Sequence, residues 1–201
     1  MKKYLSVILA IIAWFAVLTQ YYLMIENRVT SISETTIRFF SFFTILTNAM
    51  VAFYYTLAII KPTTAIIQKA GTVTAITVYI TVVGLVYQIV LRPLWHPEGL
   101  QKIVDELLHA VVPLMVIMYW YLYEQKSSVN YKQIPKWLIY PLLYLIYILI
   151  RGALSGFYPY PFMHVQKIGL LKVLINSFFL LILFSGLSAI FIRAGKFIKY
   201  K

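Results

Sequence analysis

Two polar side chains lie in apolar stretches that are long enough to span a bilayer. His109 falls within IVDELLHAVVPLMVIMYWYLY, and Thr44 falls within FFSFFTILTN. An ionisable side chain inside a membrane span is costly, so it indicates function. A hydroxyl beside an imidazole can perform nucleophilic acyl transfer, because histidine accepts the hydroxyl proton while threonine attacks a carbonyl carbon. Thr44 is therefore the candidate nucleophile, and His109 is the candidate general base.

Three further residues have the spacing or chemistry to support that pair. Asp105 lies four residues before His109 on the same helical face, where its carboxylate could orient the imidazole ring. Asn48 lies four residues after Thr44, again on one face. Asn48 and Arg92 are both candidates for stabilising an oxyanion, and the sequence does not choose between them.

A simpler interpretation accounts for the same residues without chemistry. Threonines in membrane helices often bond to their own helix, and a histidine can be satisfied by a neighbouring helix. Against this, Pro113 follows His109 by four residues, so the His109 carbonyl loses its helical partner and a kink is predicted. Irregular backbone at membrane depth is tolerated where it is buried or lines a cavity.

Other polar residues are expected in the same half of the membrane as Thr44 and His109. A mouth of cationic groups would hold the carboxylate of an amphiphilic substrate. The alternative is that these cations only extend to the membrane interface. The residues assigned to this mouth, with their polar neighbour, are Arg92, Arg151, Lys172 and Asn176.

The composition identifies the class of protein that positions these groups. The chain has 201 residues, of which 62% are hydrophobic and 12% charged, and its mean hydropathy is +0.82, as in polytopic membrane proteins. Cysteine is absent, which excludes disulfides and thiolate chemistry. The three histidines lack metal-binding spacing, so we expect no metal and no cofactor. The net charge is +12, and the basic residues flank the apolar segments. This pattern indicates contact with anionic membrane lipid and no nucleic-acid binding.

Six segments are long and apolar enough to cross a bilayer as helices. The connecting segments are short, so residues 1–201 are expected to form a single all-α membrane domain with six transmembrane helices. The predicted segments are 4–24, 39–60, 71–91, 103–123, 137–155 and 170–192.

Lysine and arginine counts predict the orientation. One side of the membrane receives eleven of these cations and the other receives seven, so both termini are expected to be cytoplasmic in a multi-pass protein of the cell membrane. Four of the eleven lie in the C-terminal tail: Arg193, Lys196, Lys199 and Lys201.

Three short motifs resemble those of a known family. FSFFTILTN, LLHAVVP and YPYPFMHVQKIG are similar to segments of the androgen-induced-gene family of integral-membrane hydrolases, including its bacterial members. The resemblance implies a six-helix membrane fold. It also implies hydrolysis of fatty acid esters of hydroxy fatty acids, or related acyl esters, by an intramembrane threonine and histidine. These residues match Thr44 and His109, and the late YPF matches Tyr160, Pro161 and Phe162, which places Tyr160 among the substrate-binding residues.

Alternatives to this hypothesis remain open at the level of sequence. Thr47 is close enough to Thr44 to align as the nucleophile instead. The Asp105–His109 pair could relay protons in a proton-coupled transporter. A non-catalytic lipid-binding or assembly protein would use its glycines, among them Gly84 and Gly186, for close helix contacts. A lipid or fatty-acyl ester is the expected partner of the enzyme, and the sequence does not indicate an oligomeric state.

Overall fold

The computed structural model describes residues 1–198 and is all-helical, with no strand in that range. Lys199 and Lys201, counted above with the basic tail, lie outside the described residues. Six helices within this range are long and apolar enough to cross a membrane, which confirms the predicted class and number. We name them spans 1 to 6: Lys2–Glu26, Phe43–Ile60, Thr72–Leu94, Gly99–Tyr123, Tyr131–Ser155 and Leu170–Phe197.

Span 3 lies at the centre of the bundle. It is the most buried of the six and packs against spans 2, 4 and 6, while span 1 packs against spans 2 and 4. Spans 5 and 6 are the least buried, and they expose large apolar side chains such as Leu154 and Leu171. Apolar side chains suit this outer position because lipid tails surround a membrane bundle.

Span 2 begins later than predicted. Ile32–Phe39 forms a separate short helix, and a turn at residues 40–42 precedes the start of span 2 at Phe43. In that turn the Ser41 hydroxyl donates to the Ile37 carbonyl at 2.8 Å. The prediction of one helix over 39–60 is therefore wrong, because the chain turns between two helices. Thr44 is consequently the second residue of a helix, near the start of span 2.

Spans 3 and 4 each contain one π-helical turn, at Tyr87–Leu91 and Leu107–Val111. In each turn an N–H donates to the carbonyl five residues earlier, as Val112 does to Leu107. A proline follows two residues after each turn, at Pro93 and Pro113. Proline lacks an N–H, so the helix cannot continue its hydrogen bonds there. The irregularity predicted at Pro113 is thus a π turn.

Shorter helices complete the chain and adjoin or connect the spans. Gly156 ends span 5 with a φ of 71°, a left-handed conformation that glycine adopts without strain. The helical segments within spans 3, 4 and 5 are Thr72–Val86, Arg92–Leu94, Gly99–Glu106, Val112–Tyr123, Tyr131–Gln133, Ile134–Trp137 and Ile139–Ser155. The loops contain Ala65–Gln68, Lys126–Ser128, Pro161–Met163 and Val165–Ile168.

Candidate functional site

A cavity of about 690 Å³ lies at the end of the bundle opposite the N-terminus, and we call it the main cavity. The last turn of span 1, the start of spans 2 and 4, the end of span 3 and the loop after span 5 enclose it. Its volume is in the range of small-molecule sites. Thr44, Asp105, His109 and Tyr160 all line it, so two helices and a loop bring together four predicted site residues.

The His109 ring is fixed on one edge and one face. Its Nδ1 lies 2.9 Å from the backbone carbonyl oxygen of Asp105. A carbonyl only accepts hydrogen bonds, so Nδ1 carries the proton and the Nε2 of a neutral ring keeps its lone pair. The Tyr87 ring stacks on the imidazole, with centroids 3.8 Å apart and planes 12° from parallel. The ring is therefore held in the tautomer that a general base requires.

The predicted contact between the Asp105 carboxylate and His109 is wrong, because the backbone carbonyl of Asp105 makes that contact instead. The carboxylate accepts hydrogen bonds from the Trp95 indole at 2.7 Å, the Gln101 amide at 3.3 Å and the Tyr87 hydroxyl at 3.3 Å. Asp105 thus supports His109 indirectly, by holding the tyrosine that stacks on its ring.

Thr44 lies in the first turn of span 2, where backbone N–H groups lack helical acceptors and carry partial positive charge. Its N–H donates to the Tyr160 hydroxyl at 3.4 Å, and its own hydroxyl lies 3.5 Å from the same oxygen. Thr44 and His109 share the main cavity, with no direct hydrogen bond between their side chains among residues 1–198. In ligand-free sites such contacts are often long and tighten when substrate binds.

Thr47, the alternative nucleophile, points elsewhere. Its side chain is fully buried, and its hydroxyl lies 3.0 Å from the Tyr140 hydroxyl. It lines neither the main cavity nor the cleft described below. Of the two threonines, only Thr44 shares a cavity with His109.

Asn48 does not have the role in oxyanion stabilisation that the sequence suggested. Its amide nitrogen donates to the Thr44 carbonyl at 2.9 Å and to the Leu108 carbonyl at 3.2 Å, so both amide hydrogens are in use. In the π pattern, the Leu108 carbonyl would face Pro113, which has no N–H to donate. Asn48 thus supplies the missing donor, and it links the helix carrying Thr44 to the helix carrying His109.

The predicted cationic mouth is wrong, because the structure places its members outside both cavities. Arg92 donates to Gln88 and Glu106 on the surface, and Arg151 forms an ion pair with Glu34. Lys172 is exposed. Each arginine therefore already has a carboxylate partner.

The ion pair of Arg151 belongs to a small surface cluster. Arg38 donates to Glu34 at 2.8 Å, and both arginines lie against the Phe157 ring. The Arg38 hydrogen bond, joined by that of Arg151, holds the pKa of the Glu34 carboxyl below its usual range.

The loop after span 5 carries Tyr160 into the bundle. The Tyr160 ring stacks on Phe162, and burial raises the pKa of its hydroxyl, which stays a neutral donor. Asn176, predicted to bind substrate, instead donates to the Phe162 carbonyl at 2.9 Å and so holds this loop. Tyr158 packs against Gly152, where a Cβ would overlap its ring.

A second, narrow cavity of about 80 Å³ opens on the other side of Thr44, and we call it the apolar cleft. It lies between spans 2, 3, 5 and 6. Thr44, Leu91 and Tyr160 line both cavities. The rest of the cleft is mainly apolar, with Phe43, Val82, Val86, Leu145 and Phe184 among its walls.

Sequence reasoning missed three contributors to this site. Tyr87 stacks on His109 and Trp95 donates to Asp105, and neither was among the predicted site residues. Gln101 was overlooked, although its i, i+4 spacing to Asp105 was a usable signal. The prolines near one end of two successive spans, Pro93 and Pro113, were a second signal of interrupted helices.

Comparisons with protein-family models, with curated proteins and with solved structures found no match. The geometry of the main cavity and the resemblance of the three motifs are therefore the observations that bear on function.

Proposed function

We propose that this protein is a membrane-embedded hydrolase of lipid-like carboxylic esters, with Thr44 as nucleophile and His109 as general base. One observation carries the proposal. The His109 ring, with Nδ1 committed to a carbonyl, shares a 690 Å³ cavity with a threonine at a helix N-terminus. The motif resemblance supports the same two residues. The proposal includes the predicted orientation, in which the termini are cytoplasmic and the cavity lies toward the outer leaflet.

The reaction has two half-reactions that balance. In the first, Nε2 of His109 takes the Thr44 hydroxyl proton, and the threonine oxygen bonds to the ester carbonyl carbon. The carbon–oxygen bond to the alcohol then breaks, and the alcohol leaves with the proton from Nε2. In the second, Nε2 takes a proton from water, whose oxygen attacks the acyl-threonine. The bond between the carbonyl carbon and the threonine oxygen then breaks, Nε2 gives its proton to that oxygen, and the carboxylic acid leaves with the Thr44 hydroxyl restored.

The oxyanion formed in each half-reaction needs hydrogen-bond donors. The Thr44 N–H belongs to the positive end of span 2, and the Tyr160 hydroxyl lies within 3.5 Å of both the N–H and the hydroxyl of Thr44. Donors aimed at developing charge are among the largest contributions to catalysis. Tyr160 and this N–H replace Asn48 and Arg92 as our candidates.

A proton-coupled transporter, the main alternative, receives less support from the interior of the bundle. A transport path needs polar groups along its length. The buried side chains next to the main cavity along spans 1, 2 and 4 include an apolar layer of Ala13, Val51, Val112 and Val116. The hydroxyl groups of Ser6, Tyr55 and Tyr119 follow only beyond that layer. A proton flux into liposomes that depends on His109 would favour the transporter.

The two neighbouring threonines provide a matched test. Purified wild-type protein, Thr44→Ala and Thr47→Ala would be assayed with a panel of long-chain acyl esters in mild detergent, with thermal unfolding as the control for folding. We expect Thr44→Ala to abolish turnover and Thr47→Ala to retain it, because only Thr44 lines the main cavity. Full turnover in folded Thr44→Ala would refute the assignment.

A further inference from the structure

We infer that the preferred substrate is an acyl ester whose alcohol half carries an uncharged, hydroxyl-rich head such as glycerol. The inference rests on the proposed function and narrows its substrate class. The apolar cleft, whose volume of about 80 Å³ holds only a few methylene groups, would receive the acyl carbons next to the carbonyl, and the rest of the chain would extend outward between the spans. The main cavity would receive the alcohol half with its head.

The position of Thr44 between two cavities is the first argument. Thr44 and Tyr160 line both the main cavity and the apolar cleft. A carbonyl carbon placed at the Thr44 hydroxyl would therefore have its two substituents directed into different spaces. The cleft has an apolar wall, including Val82, Leu145 and Phe184, that suits an alkyl chain. The larger space is then left for the alcohol.

The polar side chains of the main cavity are the second argument. Three of them are amides, Gln20, Asn27 and Gln101, and two are acids, Glu98 and Asp105. Gln20 and Gln101 donate to each other, at 3.4 Å and 2.8 Å. Gln101 uses both amide hydrogens, on Gln20 and Asp105, whereas the Gln20 amide keeps one hydrogen, and the amide oxygens can still accept from hydroxyl groups.

The absence of cations from this lining is the third argument. Within residues 1–198, no lysine or arginine lines the main cavity. Arg38 and Arg92 form ion pairs with acids. Arg28, which follows the cavity residue Asn27, is exposed and donates to the Ile25 carbonyl at 2.9 Å. A carboxylate on the alcohol half would lie near the acidic side chains of Glu98 and Asp105, with no lysine or arginine of the lining to pair with it. A neutral polyol head needs no such partner.

Two substrates that share an acyl chain test whether the alcohol half is neutral or carries a carboxylate. Monooleoylglycerol and the oleoyl ester of hydroxystearic acid would be compared by kcat/KM with the wild-type protein in neutral detergent. We expect the glycerol ester to be preferred at least about tenfold, which corresponds to about 1.4 kcal/mol. Equal or greater efficiency with the carboxylate ester, lost in Thr44→Ala, would overturn this inference while the proposed function stands.

A charge introduced into the lining sharpens the test. Gln20→Lys places a cation in the main cavity, so we expect the preference to shift toward the carboxylate ester by about tenfold. Lys172→Gln removes an exposed cation outside both cavities and should leave the preference unchanged. No shift with folded Gln20→Lys would count against the inference.

Binding keeps the inference testable if neither ester is hydrolysed. That result would contradict the proposed function, and the same two esters would then be bound to Thr44→Ala protein. Displacement of radiolabelled monooleoylglycerol more readily by unlabelled monooleoylglycerol than by the carboxylate ester would support the assigned head group. Equal or better displacement by the carboxylate ester would overturn it.

Discussion

The two ends of the bundle treat their buried polar groups in opposite ways. At the end far from the main cavity, the Glu124 carboxylate accepts from the N–H groups of Gly71 and Thr74 and from the Thr74 hydroxyl. That hydroxyl in turn accepts from the Trp120 indole at 3.0 Å. The carboxylate thus ties the end of span 4 to the first turn of span 3.

At the cavity end, the helices are interrupted and key polar groups face open volume. The turn at 40–42 and the two π turns all adjoin the main cavity. Nε2 of His109 has no hydrogen-bond partner within residues 1–198, and the Thr44 hydroxyl has only the long contact of 3.5 Å with the Tyr160 hydroxyl. The amide nitrogen of Asn48, by contrast, uses both of its hydrogens. Burial of polar groups alone therefore does not identify a functional site. A polar group that is held by its neighbours and also faces a cavity is the better indicator.

The largest expected effect compares one residue from each end. His109→Ala should lower kcat by about 10²–10⁴-fold, because it removes the general base. Glu124→Gln should retain turnover per folded molecule, and should cost about 1–3 kcal/mol of stability, because an amide donor would face N–H donors. Kinetics and thermal unfolding of both variants check this. Loss of turnover in folded Glu124→Gln would contradict the distinction between a structural far end and a functional cavity end of the bundle.

Removal of one hydroxyl tests the candidate oxyanion donor. Tyr160→Phe keeps the ring and its packing, and should lower kcat by about 10²-fold with little change in KM. Tyr158→Phe, in the same loop, is the control and should keep its activity, because its ring supplies the contact with Gly152. Equal kcat values for the two variants would exclude Tyr160 from the reaction.

A smaller effect is expected where spans 3 and 4 approach each other. A Cβ at Gly84 would lie 3.1 Å from the His109 carbonyl oxygen, whereas a Cβ at Gly186 would meet nothing within 4 Å. Gly84→Ala should therefore displace the π turn, lower activity several-fold and cost about 1–3 kcal/mol of stability. Gly186→Ala should keep wild-type activity and be at least as stable as wild type, because alanine favours a helix more than glycine does. Wild-type activity and stability in Gly84→Ala would show that span 4 tolerates movement.

The smallest effect is expected at the surface cluster. The Glu34 pKa is lowered in the folded protein, so its ion pairs stabilise the fold above the unfolded value of 4.5 and are lost as pH falls below it. Glu34→Gln should flatten the pH dependence of the free energy of unfolding in that range, by no more than about 1 kcal/mol. Thermal unfolding measured at several pH values checks this. An unchanged pH profile would place the acid sensitivity elsewhere.

The sequence predicted the helices better than their interruptions. Hydropathy was sufficient for six spans because each carries about 20 apolar residues. Hydropathy did not detect the break before Phe43, since FFSFF is as apolar in a turn as in a helix. Rarity in a membrane identified His109, and spacing identified Asn48, but the partners of Asn48 depend on which carbonyl Pro113 leaves free. Pairing of Arg92 and Arg151 with acids depends on long-range packing that charge counts do not contain.

The most direct test of the central claim is to locate a covalent adduct. Wild-type protein, Thr44→Ala, Thr47→Ala and His109→Ala would be treated with a fluorophosphonate, and the labelled residue would be identified by peptide mass spectrometry. We predict an adduct on Thr44 in wild type and Thr47→Ala, and none in Thr44→Ala or His109→Ala. An adduct on another residue, or no adduct on folded wild-type protein that still cleaves esters, would contradict a threonine nucleophile activated by His109.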